Sequence, residues 1–442
     1  MVQWSTRYRR LREHQADDRL TRAGENYLPV REGMSGLFLR FGLLGGAQLA
    51  GSALSFLTAV IITRIGGAVV FGQISVGLSV LAYALIATNF GTDVSGVRMA
   101  AANPERIGAM LPGIMAIRLF FGVLTFAVIL LLAPILAPDP QGRVIMLIIC
   151  FGLFAGAILP AWLPQGIENA KVTALCVFGP FALTFAFTAL SALVAPSGRA
   201  FAVSRLSADA VVAASLFAWA WRFHDGSRWK EIRAAIRDLL GQSSAIAGTQ
   251  LVRGLAFLSD ILIVSFFYHD ATVGHFSAAY RIYLLLIAVS AMYFIVLFPK
   301  LARAAKRGPE ALKTELRATL RWTIPSTSLM ALAFTAVVPW LLPLAFGADF
   351  SAAVPALQVL GIAAALNFIQ RNYSRALVAM GFPGVEFRVT AVATVVGIAL
   401  KVVGTWQWGI TGTAAALLLG EGIMLILLQR SALHKLRRLA VR

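Results

Sequence analysis

Residues 38–90 read FLRFGLLGGAQLAGSALSFLTAVIITRIGGAVVFGQISVGLSVLAYALIATNF, with only Arg40 and Arg64 charged. A bilayer core about 30 Å thick is crossed by a helix of about 20 mainly apolar residues. The stretch is too long for one crossing, and TRIGGAVVFG interrupts it with an arginine and glycines. It reads as two membrane spans, 38–62 and 73–90, joined by a short connection.

The same pattern recurs along the chain. Ten further apolar runs cover 111–133, 144–162, 172–194, 200–221, 243–267, 275–298, 321–345, 354–379, 388–404 and 409–430. The expectation is an all-α integral membrane protein of twelve transmembrane helices. Composition agrees: of 442 residues, 59% are hydrophobic and 13% charged, against roughly 45–50% and about 25% in soluble domains. This excludes a soluble enzyme with one or two cores, and a disordered chain. Cys150 and Cys176 lie in apolar runs, so no disulfide framework is implied. No HExxH, CxxC or GxxxxGK[ST] is present, so no metal site, cofactor or ATP motor is expected.

The net charge of +19 comes from 39 basic and 20 acidic residues. With both termini cytoplasmic, 31 of the basic residues fall on cytoplasmic segments and three, Arg64, Arg143 and Arg199, on external loops. The other five, Arg118, Arg205, Arg253, Arg281 and Lys401, lie within spans. The excess is expected to meet anionic phospholipid, with no role in nucleic-acid binding. The polar start, RYRRLREHQADD, is no signal peptide. It reads as a cytosolic tail or an interfacial helix, with Met34 as an alternative start. External loops of about ten residues leave no room for a catalytic domain, so no catalytic residues are expected.

Shifting the sequence by 202 residues aligns the first span with the seventh. Gly46/Gly248, Gln48/Gln250, Leu49/Leu251, Ile61/Ile263, Gly72/Gly274 and Ser75/Ser277 are identical pairs. Six helices per half make both halves enter from the same side, so the repeat is parallel, about a pseudo-two-fold axis along the membrane normal. The expected organisation is a basic tail 1–35, an N-lobe 36–221, a cytosolic basic linker 222–241, a C-lobe 242–430 and a basic tail 431–442. A binding site is expected between the lobes.

A charge at mid-membrane costs about 2.5–3.5 kcal/mol even on lenient scales. Such charges need a wet cavity or partners. Arg253 and Asp260 are seven apart and share a helix face. Arg281 comes to a depth similar to that of Asp260. With Tyr280 and Tyr283 they form a candidate cationic site, because guanidinium forks match phosphate oxygens. The alternative is an Asp260–Arg281 salt bridge that only closes a gate.

Asn367, Gln370, Arg371 and Ser374 form one polar stripe, lining a cavity or making an interhelical seam. Gln48 and Gln250 are weaker candidates of the same kind. Arg205 and Asp209, four apart, are expected to pair with each other. Lys401 and Arg118 lie nearer helix ends, where long side chains reach the interface. Arg118 stays a cavity candidate. Glu421 has no evident partner, and is read as a proton or cation site or as the mate of a distant arginine. Glu421, Asp260 and Asp209 are the candidates for ion coupling.

Several stretches carry a family likeness: TAVIITRIGGAVVFGQISVGLSV (58–80), NFGTDVSGVRMA (89–100), SDILIVSFF (259–267), VGHFSAAYRI (273–282) and FGADFSAAVPALQVLG (346–361). Over about residues 36–430 the chain resembles the polysaccharide transport family of the MOP superfamily, the Wzx-type oligosaccharide flippases. Arg64, Gly67, Phe71 and Gly72 fall on the family's pattern after helix 1, and Asp260, Tyr280 and Arg281 on its helix 7 and 8 patterns. Arg253 matches none. The resemblance implies two six-helix lobes forming a V around a cationic cavity. It implies alternating access that moves polyprenyl-diphosphate-linked oligosaccharide from the cytoplasmic to the outer leaflet of the bacterial inner membrane. An H+ or Na+ gradient would drive it, and the protein would act as a monomer, with polysaccharide polymerase machinery as a candidate neighbour.

The competing reading is a small-solute or multidrug secondary transporter. A major-facilitator protein would carry Gly-x-x-x-Asp-Arg-x-Gly-Arg between helices 2 and 3, where this chain has GTDVSGVRMAAANPERIG (91–108). A cation antiporter would favour acids over arginines in its cavity.

Overall fold

The computed structural model describes residues 34–440, so most of the expected 1–35 tail lies outside the described residues. The first element, α1 (Met34–Asn89), holds the opening pair of spans. It is helical except at Gly67, whose φ of 71° and ψ of −175° lie in a region essentially reserved for glycine. The connection between the first two apolar runs is therefore a one-residue kink.

Next come α2 (Thr92–Ala102), α3 (Ile107–Leu136), α4 (Pro140–Ile158), the short α5 (Trp162–Gly166), α6 (Ala170–Val194) and α7 (Gly198–Ala220). Three of these helices start on a side chain that accepts a backbone N–H from the first turn: Asp139 for α4, Asn169 for α6 and Ser197 for α7. Pro140, just inside α4, has no N–H to leave unpaired there.

The second half comprises α8 (Trp229–Phe267), α9 (Asp270–Arg307), α10 (Pro309–Phe346), α11 (Val354–Ala379) and α12 (Pro383–Ala440). Like α1, α12 is broken once, at Trp408 and Gly409, the latter with φ 62°. Its two arms touch backbone to backbone: a Cβ on Gly404 would lie 2.6 Å from the Gly412 carbonyl oxygen.

Among the described residues, nine helical segments are long and apolar enough to cross a membrane. Two of them, Gly42–Asn89 with 48 residues and Pro383–Leu439 with 57, are more than twice the roughly 20 that one crossing needs. Leu131, Leu193, Trp340 and Leu344 are each more than 70% exposed, a surface that suits lipid and not water. The chain is a multi-pass membrane protein.

The expected linker 222–241 differs in form. Only a short break precedes α8, which is helical from Trp229. The reason is spacing: Ile232, Ala235, Ile236, Leu239 and Leu240 recur at helical period among the charges. Ala235 and Leu239 are fully buried, in a cluster with Ile107, Met110, Ile114 and Trp162. The start of α8 is thus clamped to α3, and Arg106 bonds Asp238 at 2.9 Å. Ser95 and Ser243 add a buried hydroxyl pair at 2.6 Å between α2 and α8.

The largest apolar cluster joins both halves of the chain, from Ala59 and Phe71 to Phe276, Phe346 and Leu417. A second knits α9, α10, α11 and α12 near their basic ends, around Leu301, Leu316, Tyr373 and Leu436. Basic residues crowd this end, and the Gly67 kink lies at the other.

Candidate functional site

At the kink end the two halves meet without side chains between them. A Cβ on Gly72 would lie 1.9 Å from the Asp270 carbonyl oxygen, and one on Gly274 would lie 2.0 Å from that of Ala68. Positions 72 and 274, like 68 and 270, are related by the 202-residue shift, so the contact is reciprocal. Around it, Gln73 donates to Asp139 at 3.1 Å and to Asp270 at 3.0 Å. Arg64 donates to the Ala345 carbonyl at 3.1 Å and also to that of Leu344. It thereby closes the open C-terminus of α10 from the opposite half. Phe346 stacks edge-on against Phe56 at 5.4 Å and lies 6.4 Å from Phe71.

Deeper in, a cavity of about 240 Å³ opens between α1, α6 and α7. Its walls are mostly apolar, with Ile62, Leu78, Leu85 and Phe181 among them. Among the described residues its polar lining is Ser55, Thr58, Thr184, Thr188, Arg205 and Arg281, with no Asp or Glu. Among the described residues, Arg281 is the one lining residue from the second half, on α9. Its Nη1 donates to Ser55 Oγ at 2.8 Å, and among the described residues it has no ion pair. A guanidinium carries five N–H donors, so most of this fork is available to a ligand.

Arg205 is held at its Nε by Asp209 Oδ2, 2.8 Å away, one turn along α7. That single bond leaves its terminal nitrogens to the cavity. The Thr184 and Thr188 hydroxyls, four residues apart on α6, are buried without a hydrogen-bond partner among the described residues. Buried polar atoms are normally paired, so these two hydroxyls, on residues that line the cavity, are uncommitted donors within its wall. Two arginines and a set of hydroxyls in an apolar wall can bind a multiply charged oxyanion.

A second polar assembly lies inside the second half. Lys401 Nζ sits 2.7 Å from Asp260 Oδ1, both side chains almost fully buried. Tyr280 donates to Asp260 Oδ2 at 3.0 Å. The Tyr280 and Tyr283 rings lie 5.5 Å apart, and Tyr283 reaches Glu421 at 3.5 Å. Glu421 also accepts from Asn367 at 3.1 and 3.2 Å and from Gln370. Arg371 Nε donates to Asn367 Oδ1 at 2.9 Å.

The structure rearranges several sequence expectations. Asp260 and Arg281 do not form a salt bridge: Asp260 takes Lys401, and Arg281 turns toward α1. Lys401 does not reach for the interface; it is 6% exposed. Arg118 lies away from the cavity, 1% exposed and tied to Asp93 at 2.5 Å, Thr92 at 2.7 Å and the Leu159 carbonyl at 3.0 Å. Arg205 and Asp209 pair as expected. The polar stripe on α11 divides: Asn367 and Gln370 face Glu421, and Ser374 donates to Glu386 at 3.0 Å. Gln48 is exposed and Gln250 half-buried. The Arg253 side chain lies outside the described residues.

Among the described residues the cavity is lined mainly by the first half, with Arg281 from the second. Arg205, Ser55 and the two threonines line this cavity and were not among the cavity candidates read from the sequence. The i, i+4 spacing of Thr184 and Thr188, beside a helix bearing a membrane arginine, was the available signal.

Comparison with known proteins fits this architecture. Among solved structures, an inward-facing multidrug resistance MATE family transporter of the MOP superfamily superposes with a TM-score of 0.69, at 16% identity over 88% of this chain and 95% of that one. The lipid II flippase MurJ, in an inward closed conformation, gives 0.66 at 17% identity, covering 88% of this chain and 87% of that one. At these identities the likeness establishes the fold. A probable low-salt glycan biosynthesis flippase, Agl15 of Haloferax volcanii, is 23% identical over 172 residues, which are 38% of this chain. The match spans only 36% of that relative's length. The polysaccharide biosynthesis protein family matches residues 40–305. With more than half of its length so matched, the chain belongs to the polysaccharide biosynthesis protein family.

Proposed function

We propose that this protein flips a polyprenyl-diphosphate-linked oligosaccharide from the cytoplasmic to the outer leaflet of the bacterial inner membrane. The substrate would serve O-antigen, capsule or exopolysaccharide synthesis. The observation that carries the reading is the cavity with Arg281 and Arg205 in its wall and, among the described residues, no carboxylate there. Two guanidiniums with neighbouring hydroxyls suit a diphosphate. The lipid tail would stay in the bilayer. A carrier of cationic drugs would need the opposite polarity in its cavity, so the cation antiporter reading is disfavoured. The family match and the flippase among the relatives support the same conclusion.

We read the chain as twelve crossings in two six-helix lobes, with α1 and α12 each crossing twice and both termini cytoplasmic. The reciprocal Gly72–Asp270 and Gly274–Ala68 contacts support the pseudo-two-fold relation. They also close the kink end, which leaves the cavity to be reached from the basic end. About 240 Å³ is less than the roughly 300–1,000 Å³ of ordinary ligand pockets. It admits a diphosphate headgroup, and an oligosaccharide requires the halves to part. That requirement is the physical basis for alternating access here.

The test is glycan export in cells that carry Arg281→Ala. A charge-assisted hydrogen bond contributes about 1.5–3 kcal/mol, so diphosphate affinity should fall about 10- to 100-fold. Export should be lost while the protein remains in the membrane. Arg281→Lys should fall between, since an ammonium lacks the planar fork. Normal export by Arg281→Ala would overturn the proposal.

A further inference from the structure

Inside a helix, a threonine hydroxyl has a ready partner in the carbonyl one turn back. Thr58, Thr319, Thr323 and Thr327 all donate there, at 2.7 to 2.9 Å. Thr184 and Thr188 do not. They are 9% and 0% exposed, and their hydroxyls have no partner among the described residues. An unpaired buried hydroxyl costs stability. Here it occurs twice on one face of α6, in the wall of the cavity that holds Arg205 and Arg281. Thr58, in the same wall, keeps its bond to the Leu54 carbonyl, so lining the cavity does not by itself draw a hydroxyl away.

Packing sets the two hydroxyls at different depths. The first arm of α1 runs to the Gly67 kink. The end of α6 lies four residues before Gly198, whose Cβ would lie 3.2 Å from Val70, so α6 runs toward the kink end as well. A Cβ on Gly51 would lie 2.6 Å from the Phe181 ring. Ser55 and Thr184, each about one turn further on, therefore share a level. Arg281 joins them there through its 2.8 Å bond to Ser55. Thr188 comes one turn nearer the kink end. Ser204, on α7, donates to the Phe187 carbonyl and to Ser191 Oγ at 3.1 Å each, which brings the adjacent Arg205 level with Thr188. The cavity thus holds two oxyanion stations about 5.4 Å apart in depth, the rise of one helical turn. The inner station is Arg281, Ser55 and Thr184; the outer is Arg205 and Thr188. Two phosphates joined through one oxygen can reach both, and a single phosphate cannot.

We propose that the cavity divides a diphosphate between these two stations, and that Thr184 and Thr188 are residues by which it selects a diphosphate over a monophosphate. One phosphate is taken by Arg281 of the second half with Ser55 and Thr184. The other is taken by Arg205 and Thr188 of the first half. A ligand with a single phosphate fills one station and leaves the buried donors of the other unpaired, which is how a polar site rejects an incomplete ligand. Such a ligand settles on the inner station, because Arg205 is already partly neutralised by Asp209 at 2.8 Å, whereas the bond of Arg281 is to a neutral hydroxyl. The inference rests on the anion site proposed above.

The experiment uses the full chain in detergent or nanodiscs, with inorganic pyrophosphate and orthophosphate as probes at one fixed pH. Pyrophosphate carries more charge, so the readout is how each variant changes the ratio of the two affinities. Threonine to valine alters no charge and little shape. Thr188→Val should lower pyrophosphate affinity about tenfold, the effect of losing one hydrogen bond to a charged group, and orthophosphate affinity far less. Thr184→Val, at the station that takes either probe, should weaken both. Thr188→Ser keeps the hydroxyl and should keep the wild-type ratio. No partner is left behind when the hydroxyl goes, so Thr188→Val should melt at or above the wild-type temperature. A lower melting temperature means that the hydroxyl is paired within the protein, and overturns the proposal. An equal fall for both probes with Thr188→Val means one shared station and overturns it too, as does wild-type affinity for both. No pyrophosphate binding by wild type, or equal binding by Arg281→Ala, removes the anion site itself, a result distinct from binding that ignores the threonines.

Discussion

Lys401 and Asp260 are both almost fully buried, 2.7 Å apart. Removing one member of a buried pair leaves an uncompensated charge and costs about 3–5 kcal/mol, whereas replacing both is often near neutral. Lys401→Met should therefore melt well below wild type in a thermal scan followed by size-exclusion chromatography. Adding Asp260→Asn should recover most of the loss; if Lys401→Met melts like wild type, the pair does not hold the fold. Side chains also show what was legible in advance. Arg205 and Asp209 lie one turn apart on a helix, and their pairing followed from spacing alone. Asp260 was matched to Arg281 by depth, but depth does not say which way each helix faces. Lys401 competes for Asp260 from a helix far along the chain, and nothing local to either residue announces it. The same limit hid the donors of Glu421, which come from α9 and α11.

At the scale of elements, the decisive features are a glycine kink in α1 and a side-chain-free contact between α1 and α9. Gly67 breaks α1 with a backbone that costs other residues about 1–3 kcal/mol. Gly67→Ala should lower the melting temperature although nothing lies within 4 Å of the added Cβ. Gly72 and Gly274 act differently: there the obstacle is a backbone carbonyl about 2 Å from the new carbon. Alanine at either position should push α1 from α9 and impair stability and export alike. Gly248→Ala is the control, since its Cβ would meet nothing within 4 Å. Equal tolerance at 72, 274 and 248 would show that the contact is not tight in the membrane. Sequence identity under the 202-residue shift singled out Gly72/Gly274 and Gly46/Gly248 alike. It could not say which pair carries a close approach, because that depends on where the helices cross. The long apolar runs did locate the helices, because a bilayer permits little else. The helical start of α8 inside the expected linker was harder to read, because its apolar stripe is diluted by charges.

For the whole molecule, the reciprocal seam at the kink end is the part that must open if the two halves rock about the cavity. Gln73 and Asp270 lie across it, with side chains 3.0 Å apart. A Gln73→Cys, Asp270→Cys variant can be bridged with a short cleavable thiol reagent. Cys150 and Cys176 are buried, which shields them from the reagent. The unbridged variant is expected to export glycan, since the removed hydrogen bond is one of several across the seam. Bridged, it should stop, and cleaving the linker should restore export. Binding of pyrophosphate should survive the bridge, because the cavity is lined on the near side of the seam by Arg281 and Arg205. That separation of binding from transport distinguishes rocking halves from a static bundle. In a static bundle the bridge would leave export untouched, and alternating access would have to be abandoned for this protein.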